Sequence, residues 1–447
     1  MKLMMKQLNI ILLIQLCITF SLSAQSNYFP STTGNNWETT DPASLGWCTD
    51  QIPNLYNYLE TSNSKGFLVL KDGKIVLEKY FGTFTQDSSW YWASAGKSLT
   101  AFLIGQAQQQ GLLSIEDRAS KYLGEGWTSM TAEQEEKILI RHMLTMTSGI
   151  DDDVPDQFCD EAQCLQYKAE PGTRWAYHTA VYGLLIDIIE AVTGKNINQF
   201  INQYTANPIG MKGIWASTGS GELYFTNVRS MARFGLLSLN NGVWDGNNLL
   251  NDPNYFYQMI STSQELNKAY GYLWWLNGKS SFKIPGPQID FPGSLIPNAP
   301  DDMFMALGKN GQIICVVPSQ NLVMIRMGLP PDGSGALVTP AYLRDIWTEL
   351  NKVICTTSSI NEEGQVASIS LYPNPVGNSL TVEIGQNDFE NGAFVEITNI
   401  AGQIVISKVL TDSKSMINTS ELITGVYFAS LKDEKGIVFG KIKFIKE

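Results

Sequence analysis

A serine stands three residues ahead of a lysine, Ser94 and Lys97, in WASAGKSL at the head of the apolar run SAGKSLTAFLIGQAQQQGLL. Residues three apart on a helix are neighbours, so the lysine nitrogen can reach the serine hydroxyl. A neutral amine there could take the hydroxyl proton as the oxygen attacks a carbonyl. Lysine ordinarily keeps its proton up to about pH 10.4, and holding it neutral near pH 7 costs about 4 kcal/mol, supplied by burial and neighbouring donors. A helix N-terminus helps, because its unpaired N–H groups and positive dipole end favour an oxyanion at Ser94 and disfavour an ammonium at Lys97. Trp90 and Trp92 are apolar neighbours able to add burial. Spacing alone does not single out this pair, since Ser-x-x-Lys recurs at Ser62/Lys65 and Ser280/Lys283. Neither of those opens a buried helix, whereas Leu99, Phe102, Leu103 and Ala107 give the run from Ser94 an apolar face.

Competing chemistries are poorly supplied. The chain has two histidines, His142 and His178. A Ser-His-Asp triad would have to recruit one of them, and no Gly-x-Ser-x-Gly elbow accompanies either. Two unpatterned imidazoles are too few for a zinc site. Asp151 to Asp153 read as a solvated acidic loop rather than a cation site, and Trp274 and Trp275 either line a cleft or pack in the core. The formal charge of −12 and a pI near 4.8 exclude a phosphate-tracking surface, so no nucleic-acid partner is expected.

The elements that must position the pair are legible in outline. Residues 1–24 carry lysines, an apolar run and small residues ending at Ala24, the pattern of a cleaved signal peptide. A polar extension (25–45) precedes the helical spacing of WCTDQIPNLYNYLE. Two alternating apolar runs joined by Asp72-Gly73 then predict a hairpin just ahead of Ser94. Short strands return in MFMALG, GQIICVVP and LVMIRMG, followed by the helical PAYLRDIWTELNKVI. The predicted fold class is therefore α+β: an antiparallel sheet built from both chain ends, with a helical subdomain beside it, over residues 46–355. A polar, Ser-rich linker (356–367) leads to a small all-β module at 368–447. Five cysteines follow the signal peptide. Cys159 and Cys164 are placed to pair locally, leaving one of Cys48, Cys315 and Cys355 free, unless all five are buried thiols. No later segment is long and apolar enough to span a bilayer.

The order of segments from Gly46 to Cys355 resembles the serine hydrolases of the β-lactamase and penicillin-binding-protein superfamily, in the branch of class C β-lactamases, esterases and aminohexanoate-dimer hydrolases. The resemblance rests on SAGK, IRHMLTMTSGI, PGTRWAYHTAVYGLLIDIIEAVTG, SMARFGLLSLNNGVWDG, YGYLWWLNG and MALGKNGQIICVVPSQNLVMIRMG, in family order. It implies a β-lactamase/transpeptidase-like α/β sandwich with Ser94 as nucleophile and Lys97 as its base. Tyr177 falls on the tyrosine of the family's Tyr-x-Asn motif, and the oxyanion hole would be the backbone N–H groups of Ser94 and Lys309. Two positions depart from the family pattern: Thr179 replaces the motif's asparagine, and the third motif aligns with Ala306-Leu307-Gly308, which carries no cation. The form GKNGQ looks more like the aminohexanoate-dimer hydrolase and esterase group than like a lactamase. The last module resembles a type IX secretion sorting domain through LYPNPVGNSLTVE, ITNIAGQIV and LITGVYFASL, which implies that secretion machinery as a partner. What the resemblance implies is a secreted serine hydrolase that cleaves an ester or amide of a small molecule or short peptide through an acyl-enzyme, without metal or cofactor. The alternatives are a β-lactamase or D-amino-acid peptidase and, in another class, a non-catalytic penicillin-binding-like protein.

Overall fold

Asp72 and Gly73 both take positive φ, 53° and 80°, the pair of values that a two-residue turn matched to strand twist requires. They join Ser64–Lys71 to Lys74–Tyr80, as the sequence predicts. The structure, a computed structural model, describes residues 27–218, 221–331, 340–355, 369–384, 394–399, 404–432 and 438–447. The expected signal peptide and linker lie outside these residues.

The hairpin forms one edge of a six-stranded antiparallel sheet in the order Lys74–Tyr80, Ser64–Lys71, Leu322–Gly328, Gln312–Val317, Phe304–Gly308, Trp275–Leu276. Strands from both ends of the domain thus meet at the Ser64–Lys71 and Leu322–Gly328 pairing. The two middle strands, Gln312–Val317 and Leu322–Gly328, are buried at every residue, which explains their unbroken apolar text: a strand covered on both faces loses the polar alternation. The covers can be read from register. Val323 and Ile325 face the Val228–Leu239 helix, where Gly235 allows close approach; a Cβ there would lie 2.5 Å from Val323 Cγ1. Arg326, of opposite parity, lies with its guanidinium 5.0 Å from the Tyr342 ring on the Pro340–Ile354 helix. Helices on both faces of one sheet make the α/β sandwich.

The Gly96–Gln109 helix is buried at every position from Gly96 to Ala107. The apolar face read from the sequence is thus one side of a helix enclosed on all sides, because the Thr179–Thr193 and Pro253–Met259 helices and the sheet all contact it. Its polar groups are satisfied inside the core: Ser98 Oγ donates to Leu273 O at 2.6 Å, and Tyr255 Oη to Ala101 O at 2.7 Å.

The chain divides after Ile354 into two compact units. The second carries a three-stranded and a four-stranded antiparallel sheet. Leu380 and Val382 from one sheet and Val395, Ile397 and Leu431 from the other share one core, the arrangement of a small β-sandwich. Cys159 and Cys164 are bonded, Cys48 and Cys355 are each in a disulfide, and buried Cys315 is free.

Candidate active site

The strand Trp90–Tyr91 pairs with Gly221–Thr226, and Trp92 N–H donates to Tyr224 O at 2.8 Å. Those bonds fix the chain just before a turn at Ala93–Ala95, which runs straight into the Gly96–Gln109 helix. Ala93 sits at φ 47°, a left-handed conformation that L-residues adopt at a cost of order 1–3 kcal/mol. Ser94 therefore presents its hydroxyl from a fixed turn at the helix N-terminus.

Lys97 lies one turn on, with Nζ 3.1 Å from Ser94 Oγ. It is 1% exposed, and no carboxylate pairs with it among the described residues. Burial alone holds its pKa far below the ordinary lysine value. The desolvating shell differs from the one expected. Lys97 Nζ is 3.6 Å from the Tyr182 ring centroid and 5.1 Å from that of Tyr177, while Trp92 packs against Tyr224 and Phe234, and Trp90 stands over Lys65. The side chain points from its helix toward the Thr179–Thr193 helix, so proximity in sequence misidentified its neighbours. Ring faces attract a cation, but this attraction does not offset the loss of water. With the amine neutral, the Ser94 hydroxyl becomes the donor across the same 3.1 Å.

Tyr177 is 2% exposed and its hydroxyl makes no hydrogen bond of standard geometry. Burial raises the phenol's pKa, and the Ser94 hydroxyl opposes that rise. The Ser94 hydroxyl thus acts on the phenol although no bond of standard geometry joins them. Behind Tyr177 stands an aromatic wall: Trp275 stacks on it at 6.1 Å, and Tyr270 meets it edge-on at 6.4 Å. Trp274 and Trp275 are both core residues, and Trp275 reaches the site only through Tyr177.

His178 caps the helix that follows. Its Nδ1 accepts from Val181 N–H at 3.5 Å, which assigns the ring proton to Nε2, donating to Asp151 O at 3.1 Å. Asp152, expected in a solvated loop, is instead buried and paired with Arg174 at 2.6 Å, while Lys168 pairs with Asp151. His142 accepts from Leu139 N–H at 3.1 Å. Neither imidazole bonds Ser94. Burial lowers the pKa of His178 below 6.5, so the unfolded chain takes up a proton first on acidification and the residue's contribution to stability falls as pH drops below that value. We predict that His178→Ala lowers folding stability by about 1 kcal/mol and that His178→Asn, which restores a cap acceptor, recovers most of it; thermal denaturation at pH 8 checks this.

The turn carrying Lys309 closes the other side. Gly308 ends its strand against the nucleophile turn: a Cβ there would lie 2.3 Å from Trp92 O and 2.9 Å from Ala95 N. Asn310 takes φ 66° and donates to Tyr91 Oη at 2.6 Å, and buried Arg326 donates to Asn310 O and Gly311 O. Neither Ser94 N–H nor Lys309 N–H donates to another part of the chain in the described hydrogen bonds. Ser94, Lys97, Thr179 and Lys309 all line one cleft of about 340 Å³. Ala306 is buried and uncharged, and Lys309, one residue past Gly308, is among the residues that line the cleft.

Residues 64–328, more than half of the chain, match the sequence profile of the Beta-lactamase family. The chain belongs to the Beta-lactamase family. Residues 370–446 match the secretion system C-terminal sorting domain, which marks this Beta-lactamase family member as secreted or displayed at the cell surface. An uncharacterised protein of Alkalihalophilus pseudofirmus is 23% identical over 58% of this chain and 81% of its own length. A solved structure provisionally named 6-aminohexanoate-dimer hydrolase, from Bacillus anthracis, superposes with TM-score 0.54 at 18% identity, covering 73% of this chain and 87% of that one. A provisionally named β-lactamase of Bacteroides dorei gives TM-score 0.54 at 18% identity, covering 69% and 98%. At such identities the likeness is one of fold, and it agrees with the α+β sandwich read from the sequence.

Proposed function

We propose that this Beta-lactamase family member is a serine hydrolase that cleaves an ester or amide through an acyl-enzyme on Ser94. The observation that carries the reading is a buried lysine without a carboxylate partner, 3.1 Å from a serine hydroxyl at the edge of a cleft. Neutral Lys97 takes the Ser94 proton while Oγ bonds to the substrate carbonyl carbon. The carbonyl oxygen, now an anion, is held by the N–H groups of Ser94 and Lys309. The proton returns to the leaving group by way of Tyr177, whose burial keeps it a neutral phenol and supports a hydrogen-bonded relay over a phenolate. Water, deprotonated along the same route, then releases the acyl group and restores Ser94. No step requires a metal or cofactor.

The test is labelling with a fluorophosphonate probe followed by peptide mass spectrometry. The expected result is a single adduct on Ser94, absent in Ser94→Ala. A folded protein that is never labelled, and behaves as its Ser94→Ala variant does, would support a non-catalytic binding protein instead. Lys309, a lysine among the residues lining the cleft, favours a second reading, a β-lactamase or D-amino-acid peptidase that grips a substrate carboxylate; turnover of nitrocefin and a D-Ala-D-Ala peptide separates it from an esterase.

A further inference from the structure

The cleft wall facing the nucleophile is acidic, and the fold accounts for each carboxylate. Thr179, Tyr182, Gly183, Ile186 and Asp187 recur at helical spacing, so one face of the Thr179–Thr193 helix forms this wall. Asp187 breaks the apolar text GLLIDIIEAV at the point where that face reaches the cleft. Glu222 arrives from the Gly221–Thr226 strand. Asp160 arrives from the loop that the Cys159–Cys164 disulfide closes.

We infer that the cleft selects a substrate bearing an alkylammonium group, held by Asp160, Asp187 and Glu222. The inference rests on the acyl-enzyme reading for its chemistry, but the wall itself is independent of it. No described ion pair uses any of the three carboxylates, and Lys97 cannot offset them because burial keeps it neutral. Lys309 is the other cationic residue among the described residues that line the cleft. Tyr182, 4% exposed, lines the same wall and its hydroxyl enters no described hydrogen bond, leaving it open to a ligand donor. Although Asp187 opens to the cleft, crowding by protein and the charges of Asp160, Glu190 and Glu222 push its carboxyl up to about 6. A bound cation relieves that repulsion. Among the described residues no group of His, Cys, Asp or Glu is arranged to hold a metal ion, so the wall does not chelate; an ammonium, with three donors on a flexible stem, accepts dispersed carboxylates.

The experiment compares kcat/KM of the full chain for 4-nitrophenyl esters of Nα-acetyl-lysine, -norleucine and -glutamate, in both enantiomers, at low salt. Lysine over norleucine is expected to favour lysine by about tenfold, the effect of roughly 1.4 kcal/mol, with glutamate poorest and the preference shrinking as salt is added. In Asp187→Asn/Glu222→Gln the lysine-to-norleucine ratio should fall toward one. A ratio at or below one in the native protein, or one that the double variant leaves unchanged, overturns the inference. Calorimetry on Ser94→Ala separates this from failure of the acyl-enzyme reading. Binding of hexylammonium in preference to hexanoate upholds the acidic wall even where no ester is turned over, and equal or reversed preference refutes it.

Discussion

Lys97→Met is expected to lower kcat/KM for an activated ester by about a thousandfold and, at the same time, to raise the melting temperature. The loss follows from removing the one group placed to take the Ser94 proton, 3.1 Å away; general bases contribute about 10²–10⁴. The gain follows from linkage. In the folded protein the Lys97 ammonium is disfavoured by burial, so its pKa lies well below 10.5, whereas the unfolded chain holds that proton up to the ordinary value. The unfolded state therefore binds more protons at neutral pH, and burying the lysine destabilises the fold progressively as pH falls from 10.5 toward the folded pKa. Methionine is of similar length and has no charge to desolvate. A domain of this size gains about 2–4 °C for each kcal/mol so relieved. The same shift predicts that native activity rises with pH as Lys97 loses its proton. Stopped-flow acylation and calorimetric melting of both proteins across pH 6–10 test this. Unchanged turnover, or a lower melting temperature in a well-packed Lys97→Met variant, would contradict a neutral buried base.

The second large effect is expected at Gly308. An alanine there would place a methyl group 2.3 Å from Trp92 O and 2.9 Å from Ala95 N, well inside contact distance with backbone that has no rotamer to yield. The strand end must withdraw from the nucleophile turn and carry the Lys309 N–H with it. Removing one oxyanion donor costs about 10²–10³ in kcat, and the overpacking costs about 1–3 kcal/mol in stability. Gly235→Ala is the matching control, since its Cβ would meet Val323 Cγ1 at 2.5 Å, a side chain of the sheet rather than the backbone of the nucleophile turn. Kinetics with a reactive ester should show a large loss for Gly308→Ala and little for Gly235→Ala at comparable loss of stability. Equal loss of activity in the two would mean that general destabilisation, rather than oxyanion geometry, explains the result.

Much of the scaffold was legible because it depends on local patterns. Asp72-Gly73 predicts its hairpin because few residues accept the required dihedral angles, and buried strands such as Gln312–Val317 declare themselves by continuous apolar text. The five-residue separation of Cys159 and Cys164 brought the local disulfide within reach of inspection. The position of Ser94 relative to Lys97 was likewise local, one helical turn. What surrounds them was less accessible: the tyrosines that desolvate Lys97 come from the Thr179–Thr193 helix and the residue before its cap, some eighty positions downstream. The acidic wall left one signal in the sequence, an aspartate between isoleucines at 187, but nothing local shows that this helix face meets Glu222 and Asp160.

The sequence by itself determined which groups could react and the elements that carry them, because spacing within a helix or strand follows from backbone geometry alone. Tertiary structure decided the charge state of Lys97 and the company of the cleft. Both depend on desolvation and on charges brought together from distant segments, and those quantities do not exist until the helices close over the sheet.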